Sequence, residues 1–132
     1  LVEPMIPRNA RWNRTGEIVV EKWERGNQSD RLKTPDSIFI GYDQSIYIAD
    51  SGNHRIIVKR DPGGVIETVA GGNGPGNGLH QLNEPTDVIF DSQSSTIIIC
   101  DFQNRRIMQW PIYPTHKNET VTEGKLMIAD IN

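Results

Sequence analysis

The chain uses one pattern twice. Pro35-Asp36-Ser37-Ile38-Phe39-Ile40 stands 50 residues before Pro85-Thr86-Asp87-Val88-Ile89-Phe90, and both segments open on proline and then turn apolar. Ser45-Ile46-Tyr47-Ile48-Ala49-Asp50 and Thr96-Ile97-Ile98-Ile99-Cys100-Asp101 follow at an offset of 51. Asn53-His54-Arg55-Ile56 and Asn104-Arg105-Arg106-Ile107 keep that offset. The additional residue falls in the turn Ser92-Gln93-Ser94-Ser95, where lengthening a surface loop costs little. Self-similarity at a period near 50 residues marks an array of like units, each burying its apolar surface on the next.

Within each unit, short β-branched runs alternate with turn residues, the pattern of antiparallel strands. The spacing predicts strands over 36–41, 45–50, 54–60 and 64–70, then over 86–91, 96–101, 105–110 and 124–130. Gly16 to Glu21 has the pattern of a fourth strand, and Arg8 to Trp12 that of the end of a third, which predicts part of a preceding unit. No segment sustains a 3.6-residue period, so almost no helix is expected. The fold class is therefore all-β, and four-stranded units at this period predict β-propeller blades.

The organisation that follows is a partial preceding blade and linker over 1–34, a first blade and linker over 35–84, and a second blade, expected to be truncated at its end, over 85–132. A closed propeller of six such units needs on the order of 250 residues or more. The expectation is an incomplete propeller, with blade faces built from Ile38, Ile48, Val88 and Ile98 left open. The remaining blades of a longer chain are then among its expected partners.

The runs Ile46-Tyr47-Ile48-Ala49-Asp50-Ser51-Gly52-Asn53-His54-Arg55-Ile56 and Ile97-Ile98-Ile99-Cys100-Asp101-Phe102-Gln103-Asn104-Arg105-Arg106-Ile107 resemble the NHL repeat. The connection from Val69-Ala70-Gly71-Gly72 to Leu82-Asn83-Glu84-Pro85 is similar to the linkers between blades of that family. The first unit is the nearer match; the second departs at Gln103 for glycine and at Arg105 for histidine. The resemblance implies a propeller, usually of six blades, and a non-catalytic scaffold that binds protein or peptide partners through loops on one face. It also implies two alternatives: an RNA-binding propeller of the tripartite-motif ubiquitin-ligase type, and a zinc-dependent lyase acting on peptidyl-glycine derivatives.

Residue roles follow from comparing the two units. Asp50 and Asp101 close an apolar strand before a turn, where a carboxylate accepts backbone N–H groups and can pair with Arg55 or Arg106 five residues on. Recurrence in both units favours a structural role, since a turn is needed in every unit and a catalytic group once. Asn53 and Asn104 are the residues expected to take the left-handed backbone conformation, which asparagine tolerates far better than glutamine at position 103. The loops of the expected binding face bring together His54, Arg55, His80, Asn83, Glu84, Arg105 and Arg106; His54 and Arg105 occupy one slot with different side chains.

Other chemistry is thinly represented. The net charge is −3, so no whole-chain basic field draws nucleic acid or anionic membrane. No apolar run approaches the ~20 residues of a membrane-spanning helix, so no membrane insertion is expected. Cys100 is the only cysteine, which excludes an internal disulfide and a cysteine-based zinc site. A catalytic zinc wants three protein ligands, and the only histidines are His54, His80 and His116; no metal, cofactor or catalytic residue is expected. The run Gly71 to Gly78 lacks the spacing of a phosphate cradle and reads as a turn-rich linker. Asn13-Arg14-Thr15, Asn27-Gln28-Ser29 and Asn118-Glu119-Thr120 are glycosylation sequons, which favour an extracellular or cell-surface setting.

Overall fold

A computed structural model describes residues 6–20, 31–60, 64–112 and 123–129. Eight strands follow in order: β1 (Pro35–Ile40), β2 (Ile46–Asp50), β3 (Arg55–Arg60), β4 (Val65–Gly71), β5 (Pro85–Asp91), β6 (Thr96–Asp101), β7 (Arg106–Pro111) and β8 (Lys125–Ala129). The helical content of the described residues is two single 3-10 turns, Ser51–Asn53 and Phe102–Asn104. The strands form two four-stranded antiparallel sheets, β1-β2-β3-β4 and β5-β6-β7-β8.

The repeat extends to the irregularities. In β1 and β5 the register shifts between Pro35 and Ser37 and between Pro85 and Asp87, leaving Asp36 and Thr86 as extra residues. The third and fourth strands shift again between Ile56 and Ile57 and between Ile107 and Met108. Such bulges re-aim the side chains beyond them. Outside glycine, positive φ occurs at Thr34, Gln44 and His54, and again at Glu84, Ser95 and Arg105.

Alternation along the strands gives each sheet two apolar faces, and one face from each makes the core. Tyr47, Ala49, Ile56, Val58 and Ala70 of the first sheet meet Val88, Ile97, Ile99, Met108 and Trp110 of the second, with Leu82 of the connection between them. The Tyr47 and Phe90 rings stack across this interface at 5.6 Å. β5 lies against β1 and β2. Ile97 and Ile99 are fully buried, and truncating either to alanine is expected to cost about 2–5 kcal/mol.

Two expectations are corrected. Residues 8–12 and the described part of the Gly16 to Glu21 segment form no strand; a strand needs a neighbour for its N–H and C=O groups, and no sheet among the described residues supplies one. Of the four side chains expected on open faces, Ile38 is 64% exposed, whereas Ile48 and Val88 are buried and Ile98 half-buried. Val88 pairs with Ile99 and Ile98 with Ile89, so Val88 and Ile98 point to opposite sides of the second sheet.

Candidate functional site

At the ends of β2 and β6 the sheet is fastened to the segment that enters it. Asp50 and Asp101 are fully buried, and a carboxylate removed from water must be compensated by charge and hydrogen bonds. Asp50 Oδ2 accepts Arg55 Nε at 2.7 Å and Asn53 Nδ2 at 2.8 Å, while its Oδ1 accepts the Lys33 N–H at 2.7 Å. Asp101 repeats the set: Arg106 Nε at 2.7 Å, Asn104 Nδ2 at 2.8 Å and the Asn83 N–H at 2.7 Å. Neither aspartate caps its own 3-10 turn; the backbone N–H each accepts comes from the incoming segment.

The arginines complete the fastening with the rest of their donor fork. Arg55 Nη2 donates to the Arg31 carbonyl at 2.8 Å. Arg106 Nη1 donates to the Asn77 carbonyl at 2.7 Å, and its Nη2 to those of Gly78 and Gln81, each at 2.9 Å. The asparagine amides reach the same segments, Asn53 at the Arg31 carbonyl and Asn104 at the Gly76 carbonyl. We call this aspartate-arginine-asparagine set the latch. It is built from side chains of the sheet and main-chain atoms of the connection.

This overturns part of the expected binding face. Arg55 and Arg106 are buried, with side chains 5% and 8% exposed, so neither guanidinium is presented to a partner. Asn53 and Asn104 are not the left-handed residues. His54 (φ 54°) and Arg105 (φ 49°) are, each donating its N–H at 2.9 Å to the carbonyl three residues back, of Ser51 and Phe102. The asparagine amides must face the aspartates, so the chain reversal falls on the next residue despite a cost of about 1–2 kcal/mol outside glycine.

What remains outside the latch forms one surface across both units. The Glu84 N–H donates to His54 Nδ1 at 3.1 Å, and Gln103 Nε2 donates to Glu84 Oε2 at 2.8 Å. Arg105 is exposed on the same turn as Gln103, and so is Phe102, at 56%. Phe102 is the functional candidate that sequence comparison passed over; the signal was its replacement of Ser51, which is buried. Asn83 contributes main-chain atoms, its N–H to Asp101 and its carbonyl to the Gln103 N–H at 3.1 Å. His80 lies elsewhere, lining a crevice of about 490 Å³ with Ala70, Asn73, Trp110 and Glu123.

Among the described residues no group of three histidines, cysteines or carboxylates is placed to hold a metal. None of their helices is long and apolar enough to cross a membrane. Asn13 is exposed, and its Oδ1 accepts the Thr15 hydroxyl at 2.9 Å; Asn27, Asn118 and His116 lie outside the described residues. No protein-family model matches the chain, and no curated protein matches it.

Proposed function

We propose that the two sheets are consecutive blades of an NHL-type propeller, and that the chain is a non-catalytic scaffold binding a protein or peptide partner through the surface around Phe102 and Arg105. The observation that carries this reading is a fixed frame with variable tips. Both units hold their turns by the same buried latch and a left-handed residue at the same position. The residues at the tips of this frame differ: Ser51 against Phe102, Gly52 against Gln103, His54 against Arg105. A rigid frame with exchangeable loop residues is how binding sites are built on repeat folds. Aromatic residues, phenylalanine among them, and arginine are also enriched at protein interfaces relative to the rest of the surface.

The RNA-binding alternative draws on the same pair, because an aromatic beside a cation can hold an unstacked base. Two cations of the expected binding face, Arg55 and Arg106, are neutralised inside the latches, and Glu84 sits in the same patch. Peptide binding is therefore the favoured reading. Peptides selected from a random display library on the folded chain are expected to lose at least about tenfold in affinity when Phe102→Ser or Arg105→Glu is introduced. Ser94→Lys, in the turn between β5 and β6 at the opposite end of the sheet, should leave them unaffected. If no peptide is selected, and a uridine-rich RNA binds with a salt dependence that Arg105→Glu makes shallower, the alternative holds instead. Peptides that ignore both substitutions place the binding surface elsewhere.

A further inference from the structure

The connection between the two sheets holds both Asn-Gly pairs of the chain, Asn73-Gly74 and Asn77-Gly78. In such a pair the glycine nitrogen can attack the asparagine side chain, because no glycine side chain bars the approach. The glycine N–H gives up its proton, the nitrogen bonds to the asparagine Cγ, and the Cγ–Nδ2 bond breaks to release ammonia. Water then opens the five-membered succinimide at either carbonyl. The product is an aspartyl residue or an isoaspartyl residue whose main chain runs through Cγ. Closing the ring turns the Asn-Gly peptide unit, so the asparagine carbonyl and the glycine N–H must both be free to move.

The two pairs are held differently. Asn77 is exposed, but its main chain belongs to the latch. Arg106 Nη1 holds the Asn77 carbonyl at 2.7 Å and Nη2 the Gly78 carbonyl at 2.9 Å, while Asn104 Nδ2 holds the Gly76 carbonyl at 2.8 Å. The Gly78 N–H, the nucleophile of this pair, donates to Gln81 Oε1 at 3.3 Å. Asn73 and Gly74 are both exposed, and the Gly74 N–H makes no hydrogen bond among the described residues. A Cβ at Gly74 would meet nothing within 4 Å, so the surroundings do not hinder its movement. What restrains this pair lies at the surface: the Asn73 amide donates to the His80 carbonyl at 2.7 Å, and Gln81 Nε2 to the Asn73 carbonyl at 3.3 Å. Exposed hydrogen bonds open far more often than those of a buried charged fork.

We propose that Asn73 is a site of spontaneous deamidation in the folded chain, and that the latch protects Asn77 from the same reaction. The product at Asn73 sets a carboxylate against the His80 carbonyl, where the amide had donated a hydrogen bond. The clasp between residues 73 and 80 is then lost, and the connection gains a negative charge. The selectivity rests on the hydrogen bonds of the connection and not on the blade reading or on the Phe102 surface.

Incubation of the folded 132-residue chain in mildly alkaline buffer, followed by digestion and tandem mass spectrometry, tests this. Asn73 is expected to convert to aspartyl and isoaspartyl forms at least about tenfold faster than Asn77, because the two sites open to different extents. In denaturant, with the latch gone, the two pairs should convert at similar rates. Arg106→Lys keeps a cation beside Asp101 but lacks the fork that holds the carbonyls, and in that variant Asn77 should gain on Asn73. Where circular dichroism shows the variant to be unfolded, the wild-type chain with and without denaturant decides. Asn77 keeping pace with Asn73 in the folded wild type, Asn73 unreactive while folded, or the same bias persisting in denaturant would each overturn the proposal. An Asn77 still slow in a folded Arg106→Lys variant would overturn the protective role of the latch.

Discussion

The segments leading into the two sheets differ in almost every residue. Arg31-Leu32-Lys33-Thr34 precedes the first; Gly76-Asn77-Gly78-Leu79-His80-Gln81-Leu82-Asn83-Glu84 precedes the second. Both nonetheless deliver an N–H to the buried aspartate and a carbonyl to the buried arginine. Both end in a left-handed residue before proline, Thr34 at φ 46° and Glu84 at φ 49°. The latch recognises main-chain atoms, so it constrains the path of the connection and leaves its side chains free. That freedom is what allows the outer positions of otherwise equal turns to diverge.

If the latches are equivalent, breaking either should produce the largest effect available in the molecule. Arg55→Leu and Arg106→Leu each strand a fully buried carboxylate and remove donors from carbonyls of the connection. Each is expected to cost about 3–5 kcal/mol in denaturant unfolding. The double variant Asp101→Leu/Arg106→Leu removes the stranded charge as well, and should recover a good part of that loss. A latch whose loss is tolerated in one unit and not in the other would show that the sequence repeat overstates the structural one.

A smaller effect separates crowded from open positions within the second connection. Gly71 and Gly74 both have positive φ, +69° and +76°. A Cβ at Gly71 would lie 2.5 Å from the His54 carbonyl oxygen and 3.0 Å from Leu82, whereas one at Gly74 meets nothing within 4 Å. Gly74→Ala should therefore cost only the left-handed penalty, about 1 kcal/mol. Gly71→Ala should cost more, about 2–3 kcal/mol, because His54 is held by the turn and cannot withdraw. Thermal melts of the two variants measure the difference; equal costs would mean that the Gly71 turn is loosely held.

Much of this was legible in the sequence. The paired aspartate and arginine five residues apart could be read because both lie in the repeated run, and strand positions followed from alternation. What failed were features decided by distant partners. Nothing local indicates that Arg55 and Arg106 are buried, since the carbonyls that receive them lie 24 or more residues away. Asn53 and Asn104 have the intrinsic preference for a left-handed backbone, but the aspartates claim their amides and the reversal moves to His54 and Arg105. Val88 could not be placed from alternation alone, because the register shift after Pro85 resets it. Phe102 became visible only when the frame around it proved the same as that around Ser51.

The smallest expected effect compares the turns between the first two strands of each sheet, which hold themselves differently. In the first, the Ser45 backbone N–H is the leading reason that the Asp43 carboxyl sits below its ordinary value of 3.8, with the Ser45 hydroxyl contributing less. In the second, the Ser94 hydroxyl leads in lowering Asp91, followed by the Gln93 N–H. A carboxyl lowered in the folded state contributes stability above its unfolded value and loses it as pH falls through the folded value. Both turns should therefore weaken only below about pH 3.8. Asp43 is exposed and Asp91 at most half-buried, so the change in stability is small, and carboxyl carbon chemical shifts followed against pH are the better measure. Ser94→Ala removes the dominant donor, and the Asp91 midpoint should move up toward the ordinary value. Ser45→Ala keeps the backbone N–H, and Asp43 should stay low. Equal upward movement in both variants would mean that the hydroxyls govern both turns alike, and the contrast between a main-chain and a side-chain clasp would be lost.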